Sequence, residues 1–176
     1  MSEKKYLTTK ETFDLAVQNQ QKSNFQVAEK LYKDTLKINP NHVDAHNNLG
    51  IIFKELGEFQ KAVDCYQKVI QIQPDRVEDA HVGLGIVFKE LGELQKAISC
   101  YEKAIQINPN YVGAYNNLGT ILGELNHVNE AKKYFEKSLN LDPNNKKTCA
   151  GYGGILLKLN QHNNCLLYTS DAADEG

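Results

Sequence analysis

The chain has 176 residues, 41% of them apolar and 24% charged, with a formal net charge of -2, which is an ordinary globular composition and excludes a disordered or fibrous class. Acidic and basic residues are interspersed, leaving no basic footprint for nucleic acid. The start, Met1 to Tyr6, runs into polar sequence and no stretch holds the roughly 18 apolar residues a membrane span needs, so neither a membrane nor a secretory setting is expected and the chain reads as cytoplasmic.

In chain order, residues 1–8 form a short tail closed by Thr8-x-x-Glu11, whose hydroxyl and carboxylate can satisfy the unpaired amides that open a helix over 9–22. Ser23-x-x-Gln26 gives the same signal for a helix over 25–38. Pro40 stops it. The next pair is expected over 43–56 and 59–72. Its first helix places His46, Leu49, Gly50, Phe53 and Leu56 at the i, i+3, i+4, i+7 spacing of one buried face. Gly57 ends that helix by taking positive φ cheaply, and Pro74 ends its partner. Gly50 and Ala62 are small where antiparallel helices must come close, and Tyr66 fills the space they leave. Further pairs follow over 78–91 with 94–107 and 112–125 with 128–141, and a last helix over 146–159.

The prolines expose a period, since Pro40, Pro74, Pro109 and Pro143 are spaced by 34, 35 and 34 residues. Each interval repeats one pattern: His46, Leu49, Gly50, Phe53, Ala62, Tyr66; then His81, Leu84, Gly85, Phe88, Ala97, Tyr101; then Tyr115, Leu118, Gly119, Leu122, Ala131, Phe135. A degenerate copy with Leu15, Ala16, Ala28 and Tyr32 precedes them, with Thr12 and Asn19 where larger groups stand later. The extra residue of the 35-residue interval falls in 75–78, between helix pairs, where an insertion disturbs neither helical register.

On these slots the chain resembles the tetratricopeptide family. The resemblance implies an all-α fold, an α-solenoid wound as a right-handed superhelix of antiparallel helix-turn-helix repeats. The expected repeats are 9–42, 43–76, 78–111 and 112–145, with a fifth cut to its first helix over 146–164. From Cys165 to Gly176 the register breaks, and the sequence resembles the translation of a transposase adapter used in preparing sequencing libraries. On that expectation the natural protein continues differently beyond it.

By the same resemblance the inner face of the first helices is the binding surface. It presents Asp44, Asn47, Asn48, Ile51, Lys54 and Glu55, then Asp79, Val82, Gly83, Ile86, Lys89 and Glu90, then Gly113, Asn116, Asn117, Thr120, Gly123 and Glu124. The residues expected to meet a partner are Asp44, Asn47, Asn48, Ile51, Lys54, Asp79, Val82, Ile86, Lys89, Asn116, Asn117 and Thr120. Asparagine suits an extended peptide because its amide offers donors and acceptors to any main chain. The segments Ala45-His46-Asn47-Asn48-Leu49-Gly50 and Ala114-Tyr115-Asn116-Asn117-Leu118-Gly119 resemble repeats of protein O-linked N-acetylglucosamine transferases. There an asparagine before the leucine holds the substrate backbone, a role that fits Asn48 and Asn117, while Gly83 and Gly151 interrupt the ladder and Asp14 substitutes in part. Similar repeats also precede sulfotransferase domains. The carboxylate clamp of chaperone-binding repeats needs cations where this chain has Phe13, Val17, Asn48, Asp79 and Gly83, so that role is rejected.

The function expected is a non-catalytic scaffold that binds a protein or peptide partner, with the recognition region of a larger transferase as the alternative. Neither cofactor nor small-molecule substrate is indicated. His46 and His81 share a slot with Tyr115 and Thr12, which makes it a packing position rather than a metal pair. Cys65, Cys100, Cys149 and Cys165 form no Cys-x-x-Cys pair, so neither a zinc site nor a disulfide framework is expected. Cys65 and Cys100, one residue before the aromatic of a second helix, read as filler rather than nucleophiles.

Overall fold

The computed structural model describes residues 7–74 and 77–174, with side chains up to 160. Its helices are α1 (Thr9–Gln21), α2 (Phe25–Ile38), α3 (Val43–Glu55), α4 (Phe59–Ile72), α5 (Glu78–Glu90), α6 (Leu94–Ile107), α7 (Val112–Glu124), α8 (Val128–Leu141) and α9 (Lys146–Asp174). The architecture is an all-α solenoid of helix pairs. Eight helices match the sequence-derived spans to within a residue at each end. The link 73–77 is one residue longer than 39–42 or 108–111, although Asp75 and Arg76 themselves lie outside the described residues.

The helix ends follow local chemistry. At the start of α1, Glu11 Oε2 accepts from the Thr8 amide at 2.8 Å and the Thr8 hydroxyl at 2.9 Å, while the Glu11 amide donates to Thr8 Oγ1 at 3.2 Å. The expected capping box is present. The second one is not: Ser23 adopts φ 59°, and α2 starts behind Asn24 without a side-chain cap. Ser23 instead occupies the left-handed position that Gly57 (φ 74°), Gly92 (φ 76°) and Asn126 (φ 63°) take in the later copies. At all four turns the following amide reaches back five residues, as from Glu58 to the Phe53 carbonyl at 2.8 Å and from Asn24 to the Asn19 carbonyl at 2.9 Å. That double-bonded stop needs a positive-φ residue and explains why a serine there cannot cap the next helix.

α9 departs from expectation at its other end. A stop near 159 was expected, yet the helix continues to Asp174. Between Asn160 and Asp174 there is neither glycine nor proline to break it.

The chain divides into two compact units, Met1–Cys100 and Tyr101–Gly176. In the first, α1 packs on α2 and α3 on α4, α2 meets α3, α4 meets α5, and α3 lies beside α5. In the second, α7 packs on α8, and α9 meets both. The core of the first unit holds Ala28, Tyr32, Leu49, Phe53, Ala62 and Tyr66. Two members of the expected stripe behave otherwise. Leu56 is 37% exposed because it stands at the C-cap of α3, where the chain already turns, and His46 is only half-buried. Ala45 and Ile52 are buried as well, as are Ala80 with Val87 and Ala114 with Ile121 in the same register.

In two repeats the aromatic of the second helix stitches successive first helices together. Tyr66 of α4 lies against both α3 and α5, so that a Cβ at Gly50 would sit 2.7 Å from its ring and one at Gly83 2.5 Å. Phe135 of α8 does the same between α7 and α9, where the corresponding distances at Gly119 and Gly151 are 3.2 and 2.7 Å. Gly83 and Gly151 are therefore dictated by rings.

Candidate functional site

Within the first unit the candidate face is carried by α3 and α5. Asp44 and Asp79 are exposed; Asn47, Asn48, Ile51, Lys54, Ile86 and Lys89 are half-buried; Val82 is buried at 8% exposure. Val82 is thus a wall residue, packed away from any partner. Lys54 Nζ pairs with Glu55 at 2.9 Å, and these two with Phe59, Ile86 and Glu90 line a hollow of about 220 Å³.

Asn48 is committed to the fold. Its Nδ2 donates to the hydroxyl of fully buried Tyr32 at 3.0 Å, and that hydroxyl donates to Gln20 Oε1 at 2.6 Å. Burial raises the Tyr32 pKa, with the Asn48 bond acting in the opposite direction. The register that alternates Asn48, Gly83, Asn117 and Gly151 now has a physical account for its first, second and fourth members. Where the aromatic of the preceding repeat offers a hydroxyl to the next first helix, asparagine meets it; where the ring itself leans across, only glycine fits.

In the second unit α7 presents Asn116, Asn117 and Thr120, all half-buried. The Thr120 hydroxyl donates to the Asn116 carbonyl at 2.8 Å and is used within its own helix. Asn116 Oδ1 is buried without a hydrogen-bond partner. Among the described residues no side-chain hydrogen bond ties the half-buried Asn47 or Asn117.

A second feature of this unit escaped sequence reasoning. Between α7 and α9 lies a hollow of about 200 Å³ walled by Gly119, Gly123, Gly151, Gly154 and Ile155, with Phe135 as its floor and Thr120, Glu124 and Lys158 at its rim. Lys158 Nζ donates to the Gly123 carbonyl at 2.7 Å, strapping one end. The available signal was the loss of side chains at 123 and 154, where the earlier copies carry Lys54, Lys89, Ile51 and Ile86.

The slots considered for chemistry are structural. His46 Nε2 lies 2.9 Å from the Pro40 carbonyl, Tyr115 donates to the Pro109 carbonyl at 3.0 Å, and Cys149 Sγ points to the Pro143 carbonyl at 3.9 Å. One repeat position thus docks α3, α7 and α9 onto the link before each of them. Burial pushes the thiols of Cys65 and Cys100 up to about 11, so at neutral pH they are protonated and poor nucleophiles. No helix among the described residues is long and apolar enough to cross a membrane.

Three tetratricopeptide-repeat family models match the chain, over residues 43–76, 85–126 and 112–145. Among solved structures it is similar to MamA, at 23% identity and TM-score 0.75 over 94% of this chain and 90% of that one. A second MamA structure gives 21% and 0.68 over 90% of this chain and 99% of that one. PilF from Pseudomonas aeruginosa gives 24% and 0.78, over 96% of this chain and 76% of that one. These likenesses concern the fold.

Proposed function

Since the chain belongs to the tetratricopeptide repeat family, we propose that it is a non-catalytic protein-interaction scaffold that binds an extended peptide along the first-helix face of its repeats. The observation that carries this reading is the state of that face. Both helices of a pair fill the core, through residues such as Leu49, Phe53, Ala62 and Tyr66, whereas Asn47, Ile51, Asn117 and their neighbours on the first helices stay partly accessible. An asparagine amide there pairs with a peptide backbone whatever its sequence, and each such bond contributes about 0.5–1.5 kcal/mol. Protonated, half-buried Cys65 and Cys100 favour a scaffold over a thiol enzyme. Unpaired cysteines fit a cytoplasmic setting.

The alternative, the recognition region of a protein-glycosylating or sulfating transferase, uses the same face. Its asparagine ladder would rest on Asn48 and Asn117, with Gly83 and Gly151 interrupting it, and the Tyr32 bond and the ring contacts give three of those four positions a packing role. We favour the scaffold.

The test selects binders from a random dodecapeptide display library on the immobilised chain and measures their affinity by fluorescence anisotropy. Asn117→Ala should weaken binding about 2- to 12-fold with an unchanged melting temperature. Equal affinity would remove Asn117 from the site, and failure to enrich any peptide would defeat the reading.

A further inference from the structure

We infer that the hollow between α7 and α9 is a specificity pocket for one branched aliphatic side chain of the bound peptide, an inference that rests on the peptide-binding reading above. The repeat supplies its own template. At the slot of Gly154 the first unit carries Ile51 and Ile86, and at the slot of Gly123 it carries Lys54. There the corresponding hollow is lined by Lys54, Glu55, Phe59, Ile86 and Glu90 and does not reach Tyr66 or its flanking glycines. In the second unit those side chains are gone, and the hollow opens down to the Phe135 ring and Ile155. An isoleucine-sized group has been deleted, so the ligand that restores the packing is one.

Two further observations point the same way. The polar rim groups Thr120 and Lys158 already donate to main-chain carbonyls, at 2.8 and 2.7 Å, which leaves an apolar interior for an apolar guest. Gly154, like Gly153 outside the hollow, lacks the steric excuse of Gly151 and Gly123. A Cβ at Gly151 or Gly123 would lie 2.7 Å from Phe135 or Ile155, whereas one at Gly154 meets nothing within 4 Å. A mid-helix glycine that no contact requires weakens its helix. Its gain is open space in the hollow.

The experiment repeats the dodecapeptide selection on the full chain and on Gly154→Ile, then measures the wild-type-selected peptides with their aliphatic residue intact or changed to Ala. Wild type should enrich peptides with Ile, Leu or Val at one fixed position. Changing that residue to Ala should weaken binding at least 10-fold to wild type and less than 2-fold to Gly154→Ile. Filling the pocket in the protein should itself weaken the intact peptide at least 10-fold without lowering the melting temperature. Gly154→Ala, which fills less, should give an intermediate loss and serves if the isoleucine variant does not fold. Peptides enriched without a fixed aliphatic residue, or binding equally to wild type and the filled variant, overturn the pocket while leaving the groove intact. No enrichment at all overturns both.

Discussion

Ser23 and Asn126 sit in the left-handed region at turns where Gly57 and Gly92 stand in the other copies. An L side chain is strained there, so Ser23→Gly should stabilise the first pair by about 0.5–1 kcal/mol and Gly57→Ala should destabilise the second by about 1–2 kcal/mol. Thermal melts compare the two, and equal shifts would contradict the assignment. Glu11 acts through ionisation: bonds from the Thr8 amide and hydroxyl hold its carboxyl below the ordinary value of 4.5. With the folded pKa depressed, the stabilisation is present above 4.5 and is lost as pH falls through the folded value. Thr8→Ala should therefore lower the melting temperature more at pH 7 than at pH 3. The thiols make a third case. Iodoacetamide at pH 8 should label exposed Cys149 well ahead of Cys65 and Cys100, as peptide mapping would reveal. At this scale the sequence was informative about Gly57 and Thr8-Glu11, whose chemistry is local. It misled about Ser23, because a Ser-x-x-Gln run has the same letters whether the serine caps one helix or terminates the other.

At the scale of the element, glycine means opposite things on different helices. Gly83→Ala would drive a methyl into the Tyr66 ring and should cost about 1–3 kcal/mol, as should Ala62→Leu at the fully buried contact of α3 with α4. Gly154→Ala meets open space and should raise the melting temperature, by up to about 1 kcal/mol of helix propensity. Opposite signs for Gly83 and Gly154 would separate packing glycines from the pocket glycine. Helix spans were legible because apolar spacing, the glycines and prolines agree within each copy. The reach of α9 was not, since the sequence expectation there rested on repeat register, and no residue between 160 and 174 enforces a stop. The role of Asn48 was half legible. Its repeat position marked it as special, but only the distance to the Tyr32 hydroxyl reveals a partner sixteen residues away.

For the whole molecule, the period set by four prolines was sufficient to announce an array, since within each unit the described helices pack on elements one or two places away in the chain and local copies determine the architecture. The binding face was legible as a set of positions and not as a set of contacts. Side chains such as Val82 and Asn48 share that face by register yet are used by the core, and hollows arise from what adjacent first helices lack. The central claim is that a partner lies on the first helices. Amide chemical-shift mapping of the ¹⁵N-labelled chain with a selected dodecapeptide tests it most directly. The account predicts perturbations clustered on the first helices of a unit, around Asn117 and Gly154 on α7 and α9 or around Asn47 and Ile51 on α3 and α5. Perturbations confined to the exposed faces of α2, α4 and α8 would contradict it.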